Sequence, residues 1–283
     1  MSPSAPPDED LTRHYAPGDL ASAVLTAIEK AGKDPGALTP EDLAPLDEFH
    51  VHGREATLEL ARAADLREGR RVLDVGSGLG GPSRCLARTF ACRVTGVDRT
   101  GEYCRVAAML AARVGLSRLV TYKQGDALDL PFRDGVFDVV WTQHAAMNIR
   151  DKHRLYREMS RVLRPRGVLA LYDVLAGPSG PVSFPVPWGR GPAQSFLVTP
   201  GELRQLLEAG GFAIERWDDT TAAAVAWFAS RAGKAREPGA PPLGLHVVLG
   251  PEFALMARNL RQGLDEGRVV LAQVVARKSA GRR

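Results

Sequence analysis

Apolar residues along this chain fall into two alternating rhythms. Short continuous runs suit strands buried on both faces, and longer stretches with apolar positions every three or four residues suit helices. Seven runs read as strands: 70–75, one ending in Asp98, 119–124, FDVVWTQ at 137–143, VLALYDV at 168–174, FAIERWDD at 212–219 and RVVLAQVVARK at 268–278. Helical spacing falls at 19–31, where Leu20, Val24, Leu25 and Ile28 share a face, and at about 53–64, 83–90, 102–114, 150–164, 222–232 and 251–264. Two further starts carry a physical signature. Thr39-Pro40-Glu41-Asp42 and Thr199-Pro200-Gly201-Glu202 each place a capping hydroxyl before a proline and an acid. Strands alternating with helices predict an α/β fold with a doubly wound sheet.

The pattern also marks where the sheet stops. Residues 1–18 are expected to be a mobile arm, 19–65 a helical N-terminal cover, 66–278 the main domain and 279–283 a basic tail. Within the main domain, 175–198 is too rich in Pro and Gly for a regular element, yet it holds Phe184, Trp188 and Phe196. A long loop bearing aromatics at a ligand edge is a candidate substrate cover. The loop at 235–244 has the same Pro and Gly bias without the aromatics.

With 283 residues and 45% apolar content the chain has enough material for a sizeable core. Three cysteines, an odd number without C-x-x-C spacing, suggest neither a disulfide framework nor a zinc site. The first residues are Pro-rich and acidic, and no apolar run is long enough to span a bilayer, so a cytoplasmic protein with no membrane partner is expected. The net charge of +4 owes much to the terminal RKSAGRR, and no other stretch interleaves basic residues with aromatics. No nucleic-acid partner is therefore expected.

The informative stretch is RRVLDVGSGLGG, residues 70–81. Gly76, Gly78 and Gly81 fit G-x-G-x-x-G, in which glycine permits positive φ and a close approach of backbone to ligand. Asp74 stands two positions before the first glycine, where it would repel a pyrophosphate and attract a cationic amino group. VLDVGSGLGG resembles motif I of the class I S-adenosylmethionine methyltransferases. DALDLPFRDGVFDVVWTQ and RVLRPRGVLALYDV are similar to their small-molecule branch, with the sarcosine/dimethylglycine N-methyltransferases and the quinone and tocopherol methylating enzymes. The resemblance implies a Rossmann-like sheet of seven strands with the last antiparallel, S-adenosylmethionine as cofactor, and a small-molecule acceptor.

On that resemblance Asp74, Gly76, Gly78, Asp98, Arg99, Asp126, Ala127 and Gln143 are candidate cofactor residues. Asp98 ends the second strand, where a carboxylate can accept both ribose hydroxyls. Asp126 is expected at the adenine amino group. Gln143, His144 and Asn148, delivered by the fourth strand, are candidate catalytic residues. Many relatives place an acid at His144 and a histidine at Asn148, so roles there are not inherited. In-line methyl transfer needs no metal; an amine acceptor needs only a polar cradle, whereas a phenol or enol benefits from a base such as His144. Tyr15 from the arm and His50, His52, Arg54 and Thr57 from the cover are further polar candidates. A non-catalytic cofactor-binding module and a C-methyltransferase of a quinone-like metabolite are the alternatives, and nothing in the sequence sets the oligomeric state.

Overall fold

A computed structural model of the protein describes residues 19–232 and 241–279. The arm at 1–18 with Tyr15, the last residues of the tail and much of the 235–244 loop lie outside the described residues. The strands are β1 (Arg71–Val75), β2 (Arg93–Asp98), β3 (Val120–Gln124), β4 (Phe137–Gln143), β5 (Leu163–Ala176), β6 (Phe212–Asp219) and β7 (Val269–Lys278). The helices are α1 (Leu20–Lys30), α2 (Pro40–Asp47), α3 (Gly53–Ala63), α4 (Gly81–Phe90), α5 (Gly101–Arg113), α6 (Lys152–Val162), α7 (Pro200–Ala209), α8 (Thr221–Ala232), α9 (His246–Leu249) and α10 (Phe253–Asp265).

The strands form one sheet in the order β3-β2-β1-β4-β5-β7-β6. Strands β1 to β5 pair in parallel, and β7 runs antiparallel to both β5 and β6. Side chains alternate across it as the pleat requires. Val72, Trp141 and Ala170 pack with α3, α4 and α10 on one face, and Leu73, Val140 and Leu169 pack with α6 and α7 on the other. This is the expected doubly wound fold with an antiparallel last strand. The chain leaves β1 toward β2 and β3 but enters β4 on its other side, so a crevice opens at the carboxyl ends of β1 and β4.

Two elements depart from the expectation. Strand β5 begins at Leu163, not Val168: Phe137 pairs with Leu163 and Val139 already with Val168, so the extra residues bulge out, with Arg166 at φ 60°. Pro165 and Gly167 read as a break, yet a bulge accommodates a residue without an N–H. The short α9 was hidden by the Pro and Gly around it. Leu243 and Val248 pack with Leu20, Val24 and Ile28 of α1, so the cover is built from two distant parts of the chain, not from 19–65 alone. Among the described residues no helix is long and apolar enough to cross a membrane.

The cover is tied to the glycine turn by a buried ion pair. Arg84 on α4 donates to Asp47 at the end of α2, and its other nitrogen donates to Leu79 O at 2.7 Å. Both charged side chains are almost fully buried. Gly81 makes room for this junction, because a Cβ there would meet Asp47 O at 2.5 Å. Burial pushes the Asp47 carboxyl up, and the neighbouring Arg84 pulls it back down. Replacing Arg84 by Met is expected to cost about 3 to 5 kcal/mol at pH 7, because it strands a buried carboxylate. The cost is expected to shrink at pH 5, where the stranded Asp47 takes up a proton. Urea unfolding at the two pH values checks this, and equal costs would contradict the ion-pair account.

Candidate active site

After β1 the chain turns through Gly76 at φ 77° and Gly78 at φ 52°, conformations that favour glycine. At Gly76 a Cβ would also lie 2.4 Å from the Ala145 Cβ, so this glycine lets the turn close against the exit of β4. The Gly78 N–H donates to Asp98 Oδ2 at 2.9 Å and the Thr100 N–H to Asp98 Oδ1 at 2.8 Å. One carboxylate thereby locks the ends of β1 and β2 together. Burial raises the Asp98 pKa, with the two amides opposing it.

Asp74 lies beneath the turn and, unlike the glycines, does not line the cavity. It is 2% exposed, accepts from Ser83 Oγ at 2.6 Å, and is pushed up to about 7, chiefly by burial. The cavity has a volume of about 510 Å³, within the range of small-molecule sites. Gly76, Gly78, Asp98, Arg99, Asp126, Ala127, Gln143, His144 and Asn148 all line it, so nine of the ten candidate residues meet at one crevice. Asp126 Oδ1 accepts from the Leu128 N–H at 2.8 Å, which shapes the turn after β3.

Beyond β4 the backbone is strained. His144 has φ 47°, and its N–H donates to Tyr172 O at 2.8 Å, which extends the β4–β5 ladder by one bond. Its ring lies 4.7 Å from that of Tyr172 and 6.1 Å from that of His50. Burial holds the His144 imidazole well below its usual range, with His50 adding to the effect, and burial lowers His50 to about 4. Both rings are therefore neutral at pH 7. Gln143 Oε1 accepts from Trp141 Nε1 at 2.9 Å and from Thr57 Oγ1 at 3.1 Å. An indole nitrogen only donates, which fixes the amide orientation and leaves Gln143 Nε2 buried without a partner. His144 Nε2 and Ser77 Oγ are buried and unpartnered as well.

Asn148 turns out to hold the loop. Its Nδ2 donates to Trp188 O at 2.6 Å and Gln194 O at 2.9 Å, drawing the 177–198 segment onto the β4 exit. Lys152 does the same from α6: its Nζ donates to Ala146 O, Ile149 O and Phe196 O at 2.7, 2.5 and 2.8 Å. Burial lowers the Lys152 pKa and raises that of Asp173, its charge partner on β5. Of the loop's aromatics, Trp188 and Phe196 line the cavity, and Phe184 packs into the core.

The N-terminal cover contributes His50, which lines the cavity and whose Nε2 donates to Gly53 O at 2.9 Å. Thr57 reaches the site through Gln143. His52 faces Trp227 and Arg54 pairs with Glu41 at 2.9 Å, both away from the cavity. Sequence reasoning missed Met147, Leu260, Lys152 and the Trp141 indole. An apolar residue gives no signal of its own, and Lys152 meets the loop only through Phe196, 44 positions later.

Residues 73–171 match the family described as "Methyltransferase domain". This stretch is a methyltransferase domain. The resemblance to the class I enzymes is borne out, and S-adenosylmethionine is the cofactor of that family. Over 135 residues the chain is 32% identical to the glycine/sarcosine/dimethylglycine N-methyltransferase of Actinopolyspora halophila, covering 48% of this chain and 24% of that protein. Over 165 residues it is 33% identical to the erythromycin 3''-O-methyltransferase of Saccharopolyspora erythraea, covering 58% and 51%. The chain thus spans between about a quarter and a half of the length of these curated relatives. The solved structure of the [4+2]-cyclase SpnF matches over 98% of both chains, with a TM-score of 0.69 and 26% identity.

The buried acid beneath the methyltransferase domain's turn has a measurable cost. A carboxyl raised from 3.8 to about 7 on folding binds its proton more tightly in the folded state, so stability is lost as pH rises from about 4 to 7. Asp74→Asn keeps an acceptor for Ser83 and removes that loss. The variant is expected to be more stable than the parent by roughly 1 to 4 kcal/mol at pH 8, with the gap closing toward pH 4. Thermal unfolding without cofactor across this range checks the sign, and a gap that is constant with pH would refute it.

Proposed function

We propose that the protein transfers a methyl group from S-adenosylmethionine to a nitrogen or oxygen of a small-molecule acceptor. The observation that carries this reading is the convergence of the turn after β1, Asp98 after β2 and Asp126 with Ala127 after β3 on the same cavity as the β4 exit. A nucleoside laid along the first three strand ends leaves its reactive end beside Gln143 and His144.

The residues suit that ligand part by part. Asp98, already oriented by two backbone amides, has lone pairs left for ribose hydroxyls. Asp126 can accept from an adenine amino group while the Ala127 backbone meets the ring. Asp74, beneath the turn, supplies negative charge for an α-amino group, whose arrival would favour its ionised form. When bound, the cofactor supplies a methyl on a sulfonium, a reactive donor, so the protein's part is to orient the acceptor and exclude water. Lys152 and Asn148 do this indirectly by holding the loop with Trp188 and Phe196 over the crevice.

One observation favours a second reading. One of the neighbours that match along almost their whole length is named a cyclase, so the cavity can be read as a chamber for a cyclisation in which the cofactor site is structural. Release of S-adenosylhomocysteine in the presence of acceptor separates the two readings.

The cofactor assignment is tested at Asp98. Asp98→Ala is expected to weaken S-adenosylmethionine binding by about 1 to 3 kcal/mol, through lost charge-assisted hydrogen bonds to the ligand and a loosened Gly78 turn. Titration calorimetry measures it directly. An unchanged affinity would remove the ribose assignment.

A further inference from the structure

The half of the cavity reached from β4 differs from the half beside the glycine turn. Met147, Trp188, Phe196 and Leu260 wall it together with the neutral imidazoles of His50 and His144. The charged lining residues on the same segments, Arg150 and Asp151, are exposed, and the Arg150 guanidinium lies over the Phe196 ring, 4.5 Å from its centroid. A carboxylate placed against this wall would lose its water without gaining a cation, and for an ammonium the nearby buried carboxyls are poor partners, because Asp47 is held by Arg84 and Glu48, 3.2 Å from His50 Nε2, is pushed up to about 8 by burial.

The polar atoms left over on this side narrow the acceptor further. Gln143 Nε2 is a donor whose orientation is fixed from behind by Trp141 and Thr57, and His144 Nε2 is a ring nitrogen with no partner. A hydroxyl satisfies both, since its oxygen accepts from the amide while its proton goes to the imidazole. It keeps a second lone pair for attack. A neutral amine has only one lone pair, so accepting from Gln143 would occupy its nucleophilic electrons. A protonated amine has none.

Building on the methyl-transfer reading, we propose that the acceptor is an uncharged, largely apolar molecule of the phenol class, methylated on its hydroxyl oxygen, with Gln143 and His144 as the partners of that hydroxyl. In the transfer the hydroxyl proton passes to His144 Nε2 and an oxygen pair forms the O–CH3 bond. The pair of the broken C–S bond stays on the donor's sulfur, and the imidazolium returns its proton to water. The aromatic faces of Trp188 and Phe196 suit a flat ring.

Calorimetry on the full chain saturated with S-adenosylhomocysteine tests this, with 1-naphthol, 1-methoxynaphthalene and dimethylglycine as probes. The naphthol is expected to bind at least about tenfold more tightly than dimethylglycine, and several-fold more tightly than the ether that lacks the hydroxyl proton. His144→Ala and Gln143→Leu should each narrow the margin of naphthol over ether while leaving dimethylglycine unaffected. Dimethylglycine binding as well as the naphthol, or no margin of naphthol over ether, would overturn the assignment. Binding of S-adenosylhomocysteine without any of the three probes would overturn the acceptor class and leave methyl transfer standing. Failure to bind S-adenosylhomocysteine would remove the methyl-transfer reading and this one with it.

Discussion

A parallel sheet covered by helices on both faces leaves its polar chemistry one place to go, the carboxyl ends of its strands. Every reactive feature of this protein follows from that constraint. Asp98, Asp126 and Gln143 stand at or just beyond the ends of three strands, aligned by the register in which Asp98 pairs with Gln124 and Gln143 with Tyr172. The β4 interior behind Gln143 is apolar and buried, so that amide is positioned by packing, whereas Asp126 beyond the more polar β3 is held by its own turn. The turn at Gly76 can close tightly against Ala145 only because β1 and β4 are neighbours.

Burial gives the site its character and also its tension. Asp74, Glu48 and Asp173 are all raised by desolvation, and two imidazoles are lowered by it. Each of these groups is held away from its preferred charge state by the same apolar surroundings that make the cavity selective. A protein without such groups would fold more firmly and recognise less. The Arg84–Asp47 pair shows the other solution, in which a buried charge is matched by its opposite and used to join two parts of the fold.

Much of this was legible in the sequence wherever the signal is local. The run at Val72 to Val75, the break at Gly76 and the acids ending later runs marked the strands, the turn and the edge where the cavity lies, because each depends on residues a few positions apart. The β5 bulge was not legible, since Pro165 and Gly167 look the same in a bulge and in a loop. Arg84 reads as an exposed helical residue until the end of α2 is placed against it. The orientation of Gln143 depends on Thr57, 86 positions earlier, and the loop's attachment depends on Phe196, 44 positions after Lys152. Separations of that kind leave no periodic trace in a sequence.

The left-handed backbone at residue 144 reaches beyond this one chain. With φ at 47° the position tolerates glycine, asparagine, aspartate and histidine far better than any β-branched or bulky apolar residue. The fold therefore offers its descendants a short alphabet there: an acid, an amide, an imidazole or an empty space. Trading one letter for another alters proton affinity beside the β4 exit while leaving the side of the cavity formed by the first three strand ends untouched. A lineage built on this frame can thus change the chemistry of its cavity by a single codon, and the acid that the resembled family places at this position is one of the permitted letters.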